Sequence, residues 1–150
     1  MLNQKSIEQK YRKLSDIEHV LLRPGMYVGS TKSREEDVWL ISDEKKLTKQ
    51  KITYNPAFLK LFDEIVSNSV DEHRRNPKLN EIRVKVDPLT QSVSVWDNGG
   101  IPVVKHGEHD EWIPELIFSN LKAGSNFNDD EERLVAGTNG VGSTLTNTFL

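Results

Sequence analysis

The stretch from residue 55 to residue 75, NPAFLKLFDEIVSNSVDEHRR, constrains the fold more than any other part of the chain. Asn55 is a favourable helix N-cap, and Pro56 suits the first helical position, where a backbone N–H has no intrahelical acceptor. Basic residues near the end suit the helix dipole, and Pro77 prevents the helix from continuing. Residues at helical spacing share one face: Phe58, Leu61, Phe62, Ile65 and Ser69. The sequence therefore predicts a long helix over residues 55–75.

Alternating segments follow this helix. Residues 81–87 (EIRVKVD) and 91–97 (QSVSVWD) alternate with a period of two, and the PLT between them predicts a tight connection. We therefore expect an antiparallel pair of strands. Residues 112–121 predict a short helix with Pro114 near its start, and STLTNTFL predicts a further helix that begins shortly before Leu150.

The N-terminal third gives weaker signals. Ser15 and Glu18 fit a capping box in front of IEHVLL, which predicts the start of a helix. The segment RPGMYVGS (23–30) contains one proline and two glycines and predicts a loop with a short extended piece. The charge-rich segments KSREED and SDEKKLTKQK flank an apolar VWLI, a pattern that fits a loop or a hairpin.

Composition restricts the class of protein. The chain has 150 residues, 35% hydrophobic and 29% charged, which is typical of one soluble domain with a buried core. A net charge of −3 argues against nucleic-acid binding by bulk charge in this segment. The absence of cysteine excludes disulfides and thiolate metal sites. No apolar run approaches the roughly 20 residues of a membrane span, and no signal peptide is evident, so we expect a cytoplasmic protein.

Three polar residues of the predicted long helix have the spacing of a functional stripe. Glu64, Asn68 and Asp71 fall at i, i+4 and i+7, within about 60° of arc beside the apolar face. An acid at such a border can act as a general base, and an amide oxygen is a suitable ligand for Mg²⁺. A solvated polar face is the alternative, and the stripe alone favours it.

Two glycine-containing segments complete the candidate features. In DNGGIP, Asp97 follows a strand, and an acid or Asn before glycine is most often a hairpin turn. The alternative is that Asp97 accepts a hydrogen bond from a ligand while the glycines allow the backbone to approach it. GTNGVG, with Gly137, Gly140 and Gly142, leads into a predicted helix and could bind phosphate through backbone N–H groups. Its spacing fits neither the dinucleotide-binding nor the P-loop pattern.

The order of these features resembles that of the GHKL (Bergerat) ATPases. An acid–Asn–Asp helix comes first, then a strand ending in DNGGIP, then an SN-containing loop, then a glycine-rich entry into a helix. Three segments are similar to parts of type IIA topoisomerases: RPGMYVGS, FDEIVSNSVDE and SNFNDDEERLVAGTNGVGSTLTN. They look most similar to the large subunit of the topoisomerases of T4-like phages. The resemblance covers residues 11–150, nearly the whole chain.

This resemblance implies an α/β two-layer sandwich with helices on one face of a mixed sheet. It implies that residues 1–10 form an N-terminal arm and residues 11–150 the N-terminal part of an ATPase domain of a longer protein. The cofactors would be ATP and Mg²⁺, and the ATPase domains would form a homodimer when ATP binds. Duplex DNA and other topoisomerase subunits would be partners through domains outside this chain, in the host cytoplasm if a phage encodes it. No membrane partner is implied.

The resemblance also implies roles for individual residues. Glu64 matches the general base that activates water for attack on the γ-phosphate. Asn68 matches the Mg²⁺ ligand, and Asp71 matches the acid that supports this motif. Asp97 matches the residue that accepts a hydrogen bond from the adenine amino group.

The remaining implied contacts are grouped by the part of the nucleotide that they would touch. The walls near the nucleoside would be Ile101, Pro102, Ile117 and Phe118. The loop at the ribose and phosphate would be Ser125 and Asn126. The lid around the triphosphate would be Asn139, Gly140, Val141, Gly142 and Ser143.

The chain departs from the family pattern at three points. Gly99 and Gly100 are adjacent, so the usual D-x-G-x-G-I-P is one residue short, and the path to Ile101 must tighten. Thr138 replaces an arginine and Ala136 replaces a glycine of the lid. The main alternative function is a stand-alone nucleotide-binding module without topoisomerase activity. A chaperone or mismatch-repair relative is a further alternative, which RPGMYVGS and SNFNDDEE disfavour.

Overall fold

The computed structural model describes residues 7–8, 10–124, 137 and 140–150. Within these ranges the helices include α1 (Asp16–Leu22), α2 (Pro56–Arg75), α3 (Ile113–Ser119) and α4 (Gly142–Phe149), and a 3₁₀ turn spans Pro24–Met26. The strands are β1 (Arg34–Ile41), β2 (Leu47–Tyr54), β3 (Ile82–Asp87) and β4 (Ser92–Asp97). Most of the arm predicted over residues 1–10 lies outside the described residues, so the division into an arm and a domain stays a prediction.

The capping residues define the starts of α1 and α2 as predicted. The Ser15 hydroxyl accepts from the backbone N–H of Glu18, and the Glu18 carboxylate accepts in return from the backbone N–H of Ser15, at 3.3 and 2.8 Å. The Asn55 side chain accepts from the backbone N–H of Phe58 at 3.2 Å. The predicted helix over 55–75 is confirmed, because α2 ends at Arg75 with basic residues in its last turn.

The strands β3 and β4 form the predicted antiparallel hairpin. Val84 lies opposite Val95 and Val86 opposite Val93, so one face of the pair is apolar. The carboxylate of Asp87 closes the connection by accepting from the backbone N–H groups of Thr90 and Leu89. These hydrogen bonds, that from Thr90 foremost, hold the pKa of Asp87 below its ordinary value.

The charge-rich segments around VWLI also form a hairpin, β1–β2. Arg34 lies opposite Tyr54 at its base and Ile41 opposite Leu47 near its tip. Acids of β1 face lysines of β2 across the ladder, as in the ion pair between Asp37 and Lys49 at 3.2 Å. Both faces of this hairpin are largely exposed. Its strands therefore need no apolar face for packing, and charged residues pair across them instead.

The α/β fold class is confirmed, but the expected mixed sheet is not what the described strands form. They make two separate two-stranded antiparallel sheets, β1–β2 and β3–β4. The physical reason is connectivity: strands joined by a tight turn pair antiparallel, whereas a parallel pair needs a crossover connection. The 20-residue helix α2 connects the two hairpins, and β2 and β3 do not pair.

A small core fixes the helices relative to one another. Its buried members are Val20, Val28, Ala57, Leu61 and Leu145. Each buried Val or Leu side chain contributes about 1.5–3 kcal/mol. Thr144 docks α4 on α3, because its buried hydroxyl donates to the carbonyl oxygen of Asn120 at 2.8 Å and lies 3.2 Å from that of Ile117. The core therefore holds the N-terminus of α4 against the middle of α2. In the described part of the chain, no helix combines the length and apolarity needed to cross a membrane.

Candidate functional site

The polar stripe of α2 faces a cavity rather than open solvent. Glu64, Asn68 and Asp71 all line a space of about 390 Å³ between α2, the end of β4 and the start of α4. That volume lies within the usual range for small-ligand pockets. The side chain of Glu64 is 18% exposed and Asp71 is only 3% exposed. The structure therefore does not present this stripe as a solvated face.

Glu64 lies directly against the first residue of α4. A methyl group added to Gly142 would overlap the Glu64 carboxylate, so only glycine allows this approach. Lys60, one turn earlier on α2, forms an ion pair with the same carboxylate. The acid thus lies between a cation and the N-terminus of a helix.

Asn68 and Asp71 connect α2 to the glycine-rich segment. The Asn68 side-chain N–H donates to the Ser143 hydroxyl at 3.0 Å. The Asp71 carboxylate accepts from the backbone N–H of Gly137 at 2.8 Å. Both bonds span more than 60 residues of sequence, so they tie the entry of α4 to the long helix.

The start of α4 opens into the same cavity. Val141, Gly142 and Ser143 are among its lining residues, and no side chain caps the helix. The first N–H groups of any helix have no intrahelical acceptor, and the helix dipole places positive charge at this end. Gly140, which also lines the cavity, has a φ of +59°, a conformation that favours glycine, and its carbonyl accepts from the backbone N–H of Ala123 at 3.1 Å. This geometry suits an anionic ligand.

Asp97 lies at the opposite side of the cavity, at the end of β4. One carboxylate oxygen accepts from the Ser69 hydroxyl at 2.6 Å, and the other accepts from the backbone N–H of Gly99 at 3.0 Å. No strand follows in the described chain to complete a hairpin after DNGG. The hairpin-turn alternative for this segment is therefore wrong.

The adjacent glycines have separate structural reasons. A methyl group on Gly99 would lie 2.6 Å from Cδ1 of the buried Leu79, so the loop passes too close for a side chain. Gly100 has a φ of +147°, which side-chain-bearing residues rarely adopt. Despite the shortened loop, both Asp97 and Ile101 line the cavity.

Comparison with known proteins identifies a consistent set of relatives. No family model matches the chain. DNA topoisomerase 2 of Drosophila melanogaster is 42% identical over 146 residues, covering 96% of this chain and 10% of that protein. The ATPase region of Saccharomyces cerevisiae topoisomerase II superimposes with a TM-score of 0.88 at 36% identity, covering 95% of this chain and 38% of that one. The ATPase and transducer domains of DNA topoisomerase II from Balamuthia mandrillaris give a TM-score of 0.88 at 40% identity, covering 93% of this chain and 36% of that one.

The chain matches the ATPase region of type II DNA topoisomerases. It spans about a tenth of the length of the curated relatives and little more than a third of the solved ATPase-region structures. The match to these structures confirms the fold class expected from the sequence.

The cavity brings together most of the residues singled out by sequence. The described members that line it are Glu64, Asn68, Asp71, Asp97, Ile101, Ile117, Phe118, Gly140, Val141, Gly142 and Ser143. Pro102 is described and exposed, and it is not among the residues that line the cavity. Ser125, Asn126 and Asn139 lie outside the described residues, as do Thr138 and Ala136.

Sequence reasoning missed several residues that line the cavity. Lys60, Ser69 and Arg75 all contribute to it. The sequence pattern places Ser69 only on the packing face of the helix. A spacing signal existed for Lys60, which stands four residues before Glu64 and so on the same side of α2. No local signal pointed to Ser69, whose partner Asp97 is 28 residues away.

Proposed function

We propose that this chain binds ATP with Mg²⁺ in the cavity and forms the N-terminal part of the ATPase domain of a type II DNA topoisomerase. One observation carries the proposal: the Glu64–Asn68–Asp71 stripe faces the uncapped N-terminus of α4 across one cavity. A general base, an amide oxygen and an anion-binding helix end are what hydrolysis of a nucleoside triphosphate needs. The match to topoisomerase II ATPase regions supports the same function.

The charges of the described lining residues support a requirement for a cation. Four carboxylates line the cavity against two basic side chains; these six residues are Glu64, Asp71, Glu72, Asp97, Lys60 and Arg75. A triphosphate would be repelled by this excess of negative charge. The described residues contain no cluster of three His, Cys, Asp or Glu that could hold a metal ion unaided. This donor set fits Mg²⁺, which is usually held by one or two protein ligands together with substrate phosphates and water.

Each residue would have a distinct task. Asn68 would hold Mg²⁺ through its amide oxygen, and the bound ion would neutralise charge on the phosphates. Glu64 would accept a proton from the attacking water, and its ion pair with Lys60 would hold the carboxylate in place. The backbone N–H groups at the start of α4 would bind phosphate oxygens without being consumed in the reaction. Asp97 would accept from the adenine amino group.

The remaining contacts of the proposed site follow the resemblance. Ile101, Ile117 and Phe118 would pack near the nucleoside. Ser125 and Asn126 would contact the ribose and phosphates, and Asn139 would belong to the lid with the glycines that follow it. Pro102 is exposed and does not line the cavity, so its part in the proposed site would be limited to following the wall residue Ile101.

The activity of the whole protein is part of the proposal. ATP binding would bring two ATPase domains together as a homodimer, with residues 1–10 as the arm at that interface. Duplex DNA and other topoisomerase subunits would be engaged by domains beyond residues 11–150. The relatives given above come from an insect, a yeast and an amoeba, so the T4-like phage origin and a host-cytoplasmic location stay predictions.

Nucleotide titration tests the proposal. The ¹⁵N-labelled chain should bind a non-hydrolysable ATP analogue with Mg²⁺, and the amides of residues 140–143 and Gly99 should shift together. Binding should weaken when Mg²⁺ is replaced by chelator. Unshifted amides at millimolar nucleotide would contradict the proposal. A stand-alone binding module would bind in the same way but would not confer ATP-dependent strand passage on any longer protein that contains it.

A further inference from the structure

Ser69 lies in the middle of α2, is 7% exposed and lines the cavity. Its hydroxyl donates to Oδ2 of Asp97 at 2.6 Å. This short distance is typical of a hydrogen bond to an ionised carboxylate. A serine hydroxyl has one proton, so Ser69 has no second proton to offer to a ligand.

The second oxygen of Asp97 is also held. Oδ1 accepts from the backbone N–H of Gly99 at 3.0 Å, and the loop passes Leu79 so closely that a methyl group on Gly99 would lie 2.6 Å from its Cδ1. One donor on each oxygen fixes the plane of the carboxylate. Each oxygen retains acceptor capacity, because an ionised carboxylate has about four lone-pair sites.

A carboxylate held in this way can only accept. It can bind the exocyclic amino group of a 6-aminopurine, but it has no proton for the carbonyl oxygen of a 6-oxopurine. Facing that carbonyl would leave two acceptors against each other, which costs binding free energy. Without Ser69, Oδ2 would lose its donor and the side chain would be free to turn.

We propose that Ser69 is a positioning residue that makes Asp97 selective for 6-aminopurine over 6-oxopurine nucleotides. This inference rests on the proposed function, because Asp97 must face the base. Ser69 acts through Asp97 and does not itself touch the nucleotide.

The test compares ATP with inosine 5′-triphosphate, which carries a carbonyl oxygen in place of the amino group. Affinities of the chain for both nucleotides, each with Mg²⁺, are measured by titration of amide resonances. The parent chain should prefer ATP. Ser69→Ala should weaken ATP binding about tenfold, the effect of losing one hydrogen bond to a charged group, and leave the inosine nucleotide unchanged. The ratio of the two affinities should therefore fall.

A matched control separates this effect from a general change in α2. Ser67→Ala removes the same hydroxyl from the same helix, and Ser67 is not among the residues that line the cavity. It should leave the ratio unchanged. Ser69→Cys, whose thiol is a weaker donor, should give an intermediate ratio, and it replaces the alanine variant if that chain does not fold.

The outcomes distinguish failure of the proposed function from failure of the role of Ser69. If the parent chain binds neither nucleotide, the proposed function falls and this inference with it. If the parent prefers ATP and the Ser69 variants keep the same ratio, only the role of Ser69 is overturned. Equal weakening of both nucleotides would show a structural role and would also overturn it.

Discussion

Gly142 lies so close to the carboxylate of Glu64 that no side chain fits between them. The first residue of α4 and the candidate general base are therefore fitted to each other. A side chain at position 142 would disturb this fit even in the absence of a ligand.

Gly142→Ala should displace either Glu64 or the start of α4. We expect a loss of about 1–3 kcal/mol in the free energy of unfolding, the usual cost of overpacking, together with weaker nucleotide binding. Urea denaturation and nucleotide titration measure the two effects. Gly25→Ala is the matched control, because a methyl group there meets no atom within 4 Å. Equal behaviour of the two variants would refute the steric fit.

Glu64→Gln should separate hydrolysis from binding. The amide keeps the shape of the side chain but cannot take up the proton of water. In an ATPase-competent protein that contains this chain, we expect kcat to fall by about 10²–10⁴-fold while nucleotide affinity is retained. Asp63→Asn, at an exposed neighbouring position of α2, should leave kcat unchanged. Turnover close to the parent value in the Glu64 variant would rule out its role as general base.

Asp71→Ala should loosen the glycine-rich segment. The backbone N–H of Gly137 would lose the carboxylate that accepts from it at 2.8 Å, and we expect a cost of about 1–3 kcal/mol in unfolding free energy. Hydrogen exchange should accelerate at Gly137 more than in α2. The comparison variant is Asp63→Ala, an exposed acid on the same helix. Unchanged exchange at Gly137 would argue against this tether.

Gly99→Ala should disturb the cavity from the side of β4. The added methyl would lie 2.6 Å from Cδ1 of Leu79, so the loop must move and take its hydrogen bond to Asp97 with it. We expect about 1–3 kcal/mol of destabilisation by chemical denaturation. Gly107→Ala has open space around its added methyl and serves as the control. A Gly99 variant as stable as the Gly107 variant would show that the loop adapts freely.

The capping box of α1 predicts a pH dependence. The backbone hydrogen bond from Ser15, followed by its side-chain hydrogen bond, lowers the pKa of Glu18 from its ordinary value of 4.5. A lowered folded-state pKa means that the stabilisation is present above pH 4.5 and is lost as the pH falls through the lower value. Glu18→Gln should therefore destabilise the chain at neutral pH and lose this difference in acid, as followed by thermal denaturation. A difference that persists at pH 2 would contradict the assignment.

Local chemistry made several elements predictable from sequence. The caps at Ser15 and Asn55 and the alternation of 81–97 each act over a few residues, and each element forms where expected. The β1–β2 hairpin was harder to predict. Its charged residues pair across the strands, so its sequence lacks the alternation of apolar and polar residues that a strand with one buried face shows.

The site was predictable only in part. The spacing on α2 gave the stripe, but its burial depends on α4, which arrives more than 70 residues later in sequence. The contact between Ser69 and Asp97 and the position of Pro102 outside the cavity lining depend on tertiary packing, which no window of sequence contains.

The β1–β2 hairpin has a practical consequence. Among the helices and strands, each of its strands packs mainly against the other, and Trp39 on it is 66% exposed. A fluorophore or spin label attached near Ile41 would therefore extend into solvent and leave the cavity between α2 and α4 unaltered. Such a probe would report the tumbling of the chain, and hence its assembly state, independently of what occupies the cavity.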